Sequence, residues 1–91
     1  MAMVDIKVII VASKDDLNDG WSCAGGNQEV LTTSGYSVRL INKLGYVLED
    51  LLFVGQQRVM STPTTLVFSD EKLIGRASKL LTRREIEEML K

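Results

Sequence analysis

The chain has 91 residues, with eleven basic and twelve acidic side chains and a formal net charge of -1. Hydrophobic residues make up 45% of the sequence and charged residues 25%, a balance typical of one globular domain over residues 1–91. Because there is no basic excess, we expect neither nucleic acid nor an anionic membrane surface among its partners. The sequence has no histidine and one cysteine, which excludes histidine-based catalytic triads, internal disulfides and multi-cysteine zinc sites.

The cysteine count also bears on the compartment. Small secreted domains often depend on disulfides, and this chain can form none within itself. The apolar run from Val8 to Ala12 is too short for a membrane span or for the core of a signal peptide. We therefore expect a cytoplasmic protein, and we expect it to be a monomer.

The first third of the chain predicts a buried strand, a loop and a short helix. Val4–Ala12 is rich in β-branched residues and becomes continuously apolar, as in a strand covered on both faces. Ser13–Gly26 is polar and contains glycine, which predicts a long loop and, because such loops are uncommon, a candidate functional segment. Asn27–Thr33 predicts a short helix with Val30 and Leu31 facing inward.

The middle third predicts a strand and an amphipathic helix. Gly35 should end the preceding helix, and Tyr36–Ile41 alternates as a strand does. Lys43–Gln57 has leucine and valine at steps of three and four residues, which favours a helix, although a strand remains possible there. These apolar residues are expected in the core: Leu44, Val47, Leu48, Leu51 and Leu52.

The last third predicts a hairpin and a capped helix. Thr64–Phe68 and Lys72–Ala77 are expected to form two antiparallel strands around a tight turn at residues 69–71. Thr82 and Glu85 have the spacing of a capping box, in which each side chain binds the other residue's backbone N–H. A final apolar stripe comprises Ile86, Met89 and Leu90. The resulting order, β-α-β-α-β-β-α, predicts an α/β fold with a mixed four-stranded sheet flanked by helices.

The second half of the chain resembles the thioredoxin-fold family. The resemblance is carried by the segment Met60-Ser61-Thr62-Pro63-Thr64-Thr65-Leu66-Val67-Phe68, followed by the turn, the strand and the Thr82-capped helix. It implies a cis-proline at Pro63, opening an apolar strand. It also implies that the backbone of Thr62 can pair with an extended peptide, and that Thr62 and Pro63 orient a substrate sulfur.

The family's redox chemistry uses two cysteines, spaced Cys-x-x-Cys, at the start of the first helix. The helix N-terminus favours a thiolate, which is the nucleophile of disulfide exchange. The matching segment here is Trp21-Ser22-Cys23-Ala24-Gly25-Gly26. The resemblance implies that Cys23 is the attacking thiol and that Trp21 walls the site, while Gly26 stands where a second cysteine would be.

Two functions follow as alternatives. The first is a small thioredoxin- or glutaredoxin-like protein that performs monothiol exchange through Cys23, with glutathione or a protein thiol or disulfide as its partner. The second is a non-catalytic binding or regulatory module, similar to the cysteine-poor thioredoxin-like domains of bacterial clock proteins. For the individual residues the alternatives are that Cys23 is an inert small hydrophobe and that Pro63 is an ordinary trans proline opening an edge strand. We expect no metal or resident cofactor in either case.

Overall fold

The computed structural model describes residues 5–13, 20–43 and 48–90. Seven elements follow one another within these ranges. In chain order they are β1 (Ile6–Ala12), α1 (Gly20–Thr33), β2 (Ser37–Asn42), α2 (Leu48–Gln56), β3 (Thr64–Ser69), β4 (Lys72–Ala77) and α3 (Arg83–Met89). This is the element order that the sequence predicts.

The four strands form one mixed sheet in the order β2-β1-β3-β4. β1 pairs in parallel with β2, placing Lys7 opposite Ser37. β1 and β4 both pair antiparallel with β3, and Val11 lies opposite Thr64. The parallel pair needs a crossover, which α1 provides, whereas β3 and β4 are joined by a tight turn. The predicted four-stranded mixed sheet is therefore confirmed.

One face of the sheet is covered by α1 and α3. The buried residues of this face are Val8, Ile10, Ala12, Ala24, Leu31, Val67, Leu81 and Ile86. These buried residues belong to β1, α1, β3 and α3, except Leu81, which lies in the segment that precedes α3. On β1 these residues alternate with those that face the other side, because successive strand side chains point to opposite faces. Both faces of β1 are covered, which explains its continuous apolar run.

The opposite face is covered by α2. Its buried residues are Ile9, Val11, Ile41, Val59 and Leu66, against which Phe53, Val54 and Phe68 pack. The α2 side chains Leu48, Leu51 and Leu52 are 71%, 45% and 55% exposed, so their predicted place in the core is wrong. The helix instead turns Phe53 and Val54 toward the sheet. The other two members of the predicted stripe, Leu44 and Val47, lie outside the described residues.

The predicted loop over residues 13–26 is too long at its C-terminal end, because α1 begins at Gly20. Glycines in this segment oppose helix formation, but tertiary packing outweighs that preference. Ala24 and Leu31, seven positions apart on one face of α1, are both completely buried. Val30 lies off this face and is 57% exposed, so its predicted inward position is also wrong.

The end of α1 is fixed by Gly35, as predicted. Gly35 has φ of 100°, a left-handed conformation that glycine adopts without a Cβ penalty. Its N–H donates to Thr32 O at 3.0 Å, and the N–H of Tyr36 donates to Leu31 O at 3.2 Å. These two bonds form a Schellman motif, which pairs carbonyls that the helix leaves free.

The capped final helix is likewise confirmed. Glu85 N donates to the Thr82 hydroxyl at 3.1 Å, and Thr82 N donates to Glu85 Oε1 at 3.0 Å. Ile86 is completely buried one residue later, while Leu90, the C-cap, is 39% exposed. Of the described helices the longest, α1, has 14 residues, and none meets the length and hydropathy that a membrane-spanning helix needs.

Candidate functional site at the carboxyl end of β1

The topology places the start of α1 and the start of β3 at one end of the sheet. α1 leads into β2, whose first residue, Ser37, lies beside Lys7 near the start of β1. A helix of 14 residues spans roughly 21 Å, about the length of β1, so the beginning of α1 lies toward the other end of that strand. That end also carries Thr64, opposite Val11.

Cys23 lies in the first turn of α1 and is an exposed free thiol. The first four N–H groups of a helix have no acceptor within it, and the helix dipole places partial positive charge there. Because the side chain is exposed, a disulfide in another molecule can reach it.

The peptide bond between Thr62 and Pro63 is cis and directly precedes β3. Both residues are half-buried. The hydroxyl of Thr64 donates to Ser61 O at 2.6 Å, which ties the two sides of this bond together. Thr64 itself is buried in the sheet, so the loop carrying the cis bond is attached directly to a central strand.

Two residues at this end of the sheet were not singled out from the sequence. The backbone N–H of Lys43 donates to Ala12 O at 2.7 Å, which holds Lys43 at the carboxyl end of β1. Its Nζ donates to Met60 O at 3.3 Å. The Met60 side chain is 84% exposed, two residues before Thr62. Lys43 could have been found from the sequence, because it directly follows β2. In a parallel pair, the carboxyl ends of β1 and β2 lie at the same edge of the sheet.

Two further residues singled out from the sequence, Trp21 and Gly26, lie on α1 together with Cys23. Trp21 belongs to the first turn of the helix, but its side chain lies outside the described part of the structure. Gly26 lies three residues after Cys23, and beyond its chain neighbours and the adjacent helix backbone, a Cβ on it would meet no heavy atom within 4 Å. Among the described residues, no group of three or more histidine, cysteine or acidic side chains could hold a metal ion.

Comparison with known proteins identifies the fold. Thioredoxin 1 from Thermosipho africanus matches with a TM-score of 0.69 and 14% identity, over 92% of this chain and 89% of that one. Malaria parasite thioredoxin-2 matches with a TM-score of 0.75 and 9% identity, over 99% and 84% of the two chains. A mutant thioredoxin from Halobacterium salinarum matches with a TM-score of 0.72 and 15% identity, over 93% and 71%.

By sequence, no family model matches the chain, and no curated protein matches it significantly. The structural likeness therefore carries the assignment: the chain has the thioredoxin fold, as the resemblance in its second half implied.

Proposed function

We propose that the chain performs thiol–disulfide exchange through Cys23 as a single-thiol protein. The observation that carries this proposal is the position of an exposed cysteine in the first turn of α1, at the sheet end where the cis Thr62–Pro63 bond opens β3. The thioredoxin fold of the chain supports it further.

The exchange has two steps. The Cys23 thiolate attacks one sulfur of a disulfide R–S–S–R′; a bond forms between Cys23 Sγ and R–S, and R′–S⁻ leaves and takes up a proton. A thiolate from glutathione or from a partner protein then attacks the R sulfur of this mixed disulfide and releases the Cys23 thiolate. In total, one external disulfide and one thiol are converted into another disulfide and thiol, and Cys23 is regenerated.

The neighbouring residues would bind the substrate. The backbone of Thr62 would pair with an extended peptide carrying the disulfide, with Pro63 holding that backbone beside the sulfur. Trp21 would form a wall of the site. Thiol exchange of this type fits a reducing compartment, so we place the protein in the cytoplasm.

The experiment measures reduction of a glutathione mixed disulfide, with reduced glutathione as the second thiol, by the wild type and by Cys23→Ser. We expect Cys23→Ser to abolish the catalysed rate. Thr32→Ala, an exposed change near the other end of α1, is the control and should retain it. Equal rates for wild type and Cys23→Ser would refute the proposal.

A second candidate function is favoured by the residue at position 26. A glycine one turn after Cys23 leaves the chain without an internal resolving thiol, as expected of a binding or regulatory module with no redox activity. In that case the sheet end at Thr62 and Pro63 would bind a partner protein without covalent chemistry. The same assay separates the two functions, because a binding module without redox activity predicts no turnover from either the wild type or Cys23→Ser.

A further inference from the structure

The two faces of the sheet are covered unequally. Both α1 and α3 pack on one face, whereas the nine-residue α2 covers the other and has no buried residue. A cavity of about 500 Å³ lies between α2 and strands β1, β2 and β3. This volume is in the range of sites that bind small organic molecules.

The floor of this cavity is apolar. Ile9 and Ile41 project from β1 and β2 and are 4% and 2% exposed. Phe53 of α2 and Phe68 of β3 lie beside them, with ring centroids 6.2 Å apart and planes tilted by 54°. Two half-buried aromatic rings at this angle offer both a face and an edge to a further ring. An apolar or aromatic group would therefore gain contact area here.

The rim of the cavity is acidic. Its charged side chains within the described part of the chain are Asp5, Lys7, Arg39, Glu49, Asp50 and Glu71, which together give a net charge of -2. Arg39 and Asp50 form an ion pair with each other. Within the described ranges, the carboxylates of Asp5, Glu49 and Glu71 form no ion pair. Counting only ion pairs between described residues, three unpaired carboxylates and one unpaired ammonium group, that of Lys7, lie at the rim, and the rim favours a positive charge over a negative one.

We propose that this cavity binds a small organic cation, an ammonium group attached to an apolar ring. The ring would lie on Ile9 and Phe68, and the ammonium would face Glu49 and Glu71 at the rim. Phenylalanine faces also attract cations, which adds to the same preference. The site is independent of the proposed thiol chemistry, because α1 and Cys23 belong to the opposite side of the sheet.

The test compares two probes with the same ring and opposite charges, 2-phenylethylammonium and 3-phenylpropanoate, by NMR titration of the isotope-labelled protein. We expect the cation to shift the backbone amide signals of Ile9, Ile41 and Phe68 and to bind about fivefold more tightly than the anion, a size typical of exposed charge interactions. The double variant Glu49→Gln with Glu71→Gln should remove this preference.

Two controls make the test specific. Glu29→Gln removes an exposed carboxylate from α1, on the other side of the sheet, and should leave the cation affinity unchanged. Cys23→Ser should also bind the cation as the wild type does, so that failure of the thiol assay and failure of this site are separate results. The proposal is overturned if the cation does not bind, if the two probes bind equally, or if the shifts map elsewhere.

Discussion

The side-chain amide of Asn27 joins α1 to the segment that enters α3: its Nδ2 donates to Leu81 O at 2.8 Å. The two residues are 54 positions apart, and Leu81 is almost completely buried. The amide orientation follows from chemistry, since a carbonyl oxygen can only accept. The other amide atom, Asn27 Oδ1, is buried and has no hydrogen-bond partner among the described residues.

Replacing Asn27 tests this link. Asn27→Ala removes the donor to Leu81 O, and we expect a loss of about 1–2 kcal/mol in the free energy of unfolding, measured with urea. Asn27→Asp has nearly the same shape but places a carboxylate oxygen against the carbonyl, so it should cost more than the alanine change. An aspartate variant as stable as the wild type would show that the link contributes nothing.

The exposed leucines of α2 should tolerate substitution. Leu48 is 71% exposed, so Leu48→Ala should change the free energy of unfolding by less than about 0.5 kcal/mol. Leu31→Ala is the matched change at a completely buried site of α1 and should cost about 2–5 kcal/mol. Thermal and urea unfolding of the two variants measure the contrast, and similar losses would contradict the described packing.

The hairpin turn between β3 and β4 contains two non-glycine residues in the left-handed region. Asp70 has φ of 49° and Glu71 has φ of 70°. Aspartate tolerates this conformation better than glutamate. We therefore expect Glu71→Gly to raise the free energy of unfolding by about 1 kcal/mol.

The matched change at the neighbouring position is Asp70→Gly. It should gain less stability, because it also removes the bond from Asp5 N to Asp70 Oδ1, 3.2 Å long. Urea unfolding of both variants gives the comparison. A lower stability for Glu71→Gly than for the wild type would mean that the turn is not strained at that residue.

The N-terminus of α3 should be sensitive to acid. The ion pair with Lys79, together with the hydrogen bond from Thr82 N, lowers the pKa of Glu85 below its ordinary value. A lowered folded-state pKa contributes stability above the unfolded pKa, which is about 4.3 for glutamate, and that stability is lost as the pH falls through the folded pKa. Glu85→Gln should therefore be less stable than the wild type at pH 7, and the difference should shrink toward pH 3.

A double-mutant cycle of Lys79→Met with Glu85→Gln separates the ion pair from the cap. The coupling between the two changes should be measurable at pH 7 and low salt. It should weaken at high salt, because the pair is exposed and is screened. A coupling that persists unchanged at pH 3 would contradict the assignment of this pKa shift to Lys79.

A second cysteine at position 26 should convert the chain into a two-thiol protein. Residues three apart on a helix are neighbours on its surface, close enough for a disulfide, and a Cβ at Gly26 would clash with nothing outside the adjacent helix backbone. We expect Gly26→Cys to lose both thiols on oxidation without forming disulfides between chains, measured by mass spectrometry and non-reducing gel electrophoresis. We also expect it to accelerate insulin reduction by dithiothreitol.

Gly25→Cys is the control for this change. The space around its Cβ is equally open, but residues two apart on a helix point to different sides. It should form disulfides only between molecules. An internal disulfide in Gly25→Cys, or none in Gly26→Cys, would contradict the helical conformation of this segment.

The sequence predicted those elements whose signals are local. The capping box of Thr82 and Glu85, the stop at Gly35 and the tight turn before Lys72 each depend on residues within a few positions of one another. The Thr62-Pro63-Thr64 pattern likewise pointed to the thioredoxin fold, which the structural neighbours show. The sequence predicts a loop at Gly20–Gly26, where the structure has a helix, because the helix propensity of this segment is poor and the residues it packs against are distant in sequence.

Periodicity, caps and composition are properties of short segments, and they suffice to predict the order of the elements, the mixed sheet and the presence of a single thiol. The side of α2 that faces inward, with Leu48 exposed and Phe53 half-buried, follows instead from the packing of the whole chain, as does the meeting of segments at the end of β1. The reason is that burial depends on what lies across the interface. The sequence spacing of α2 permits either apolar side to pack, and the sheet selects one.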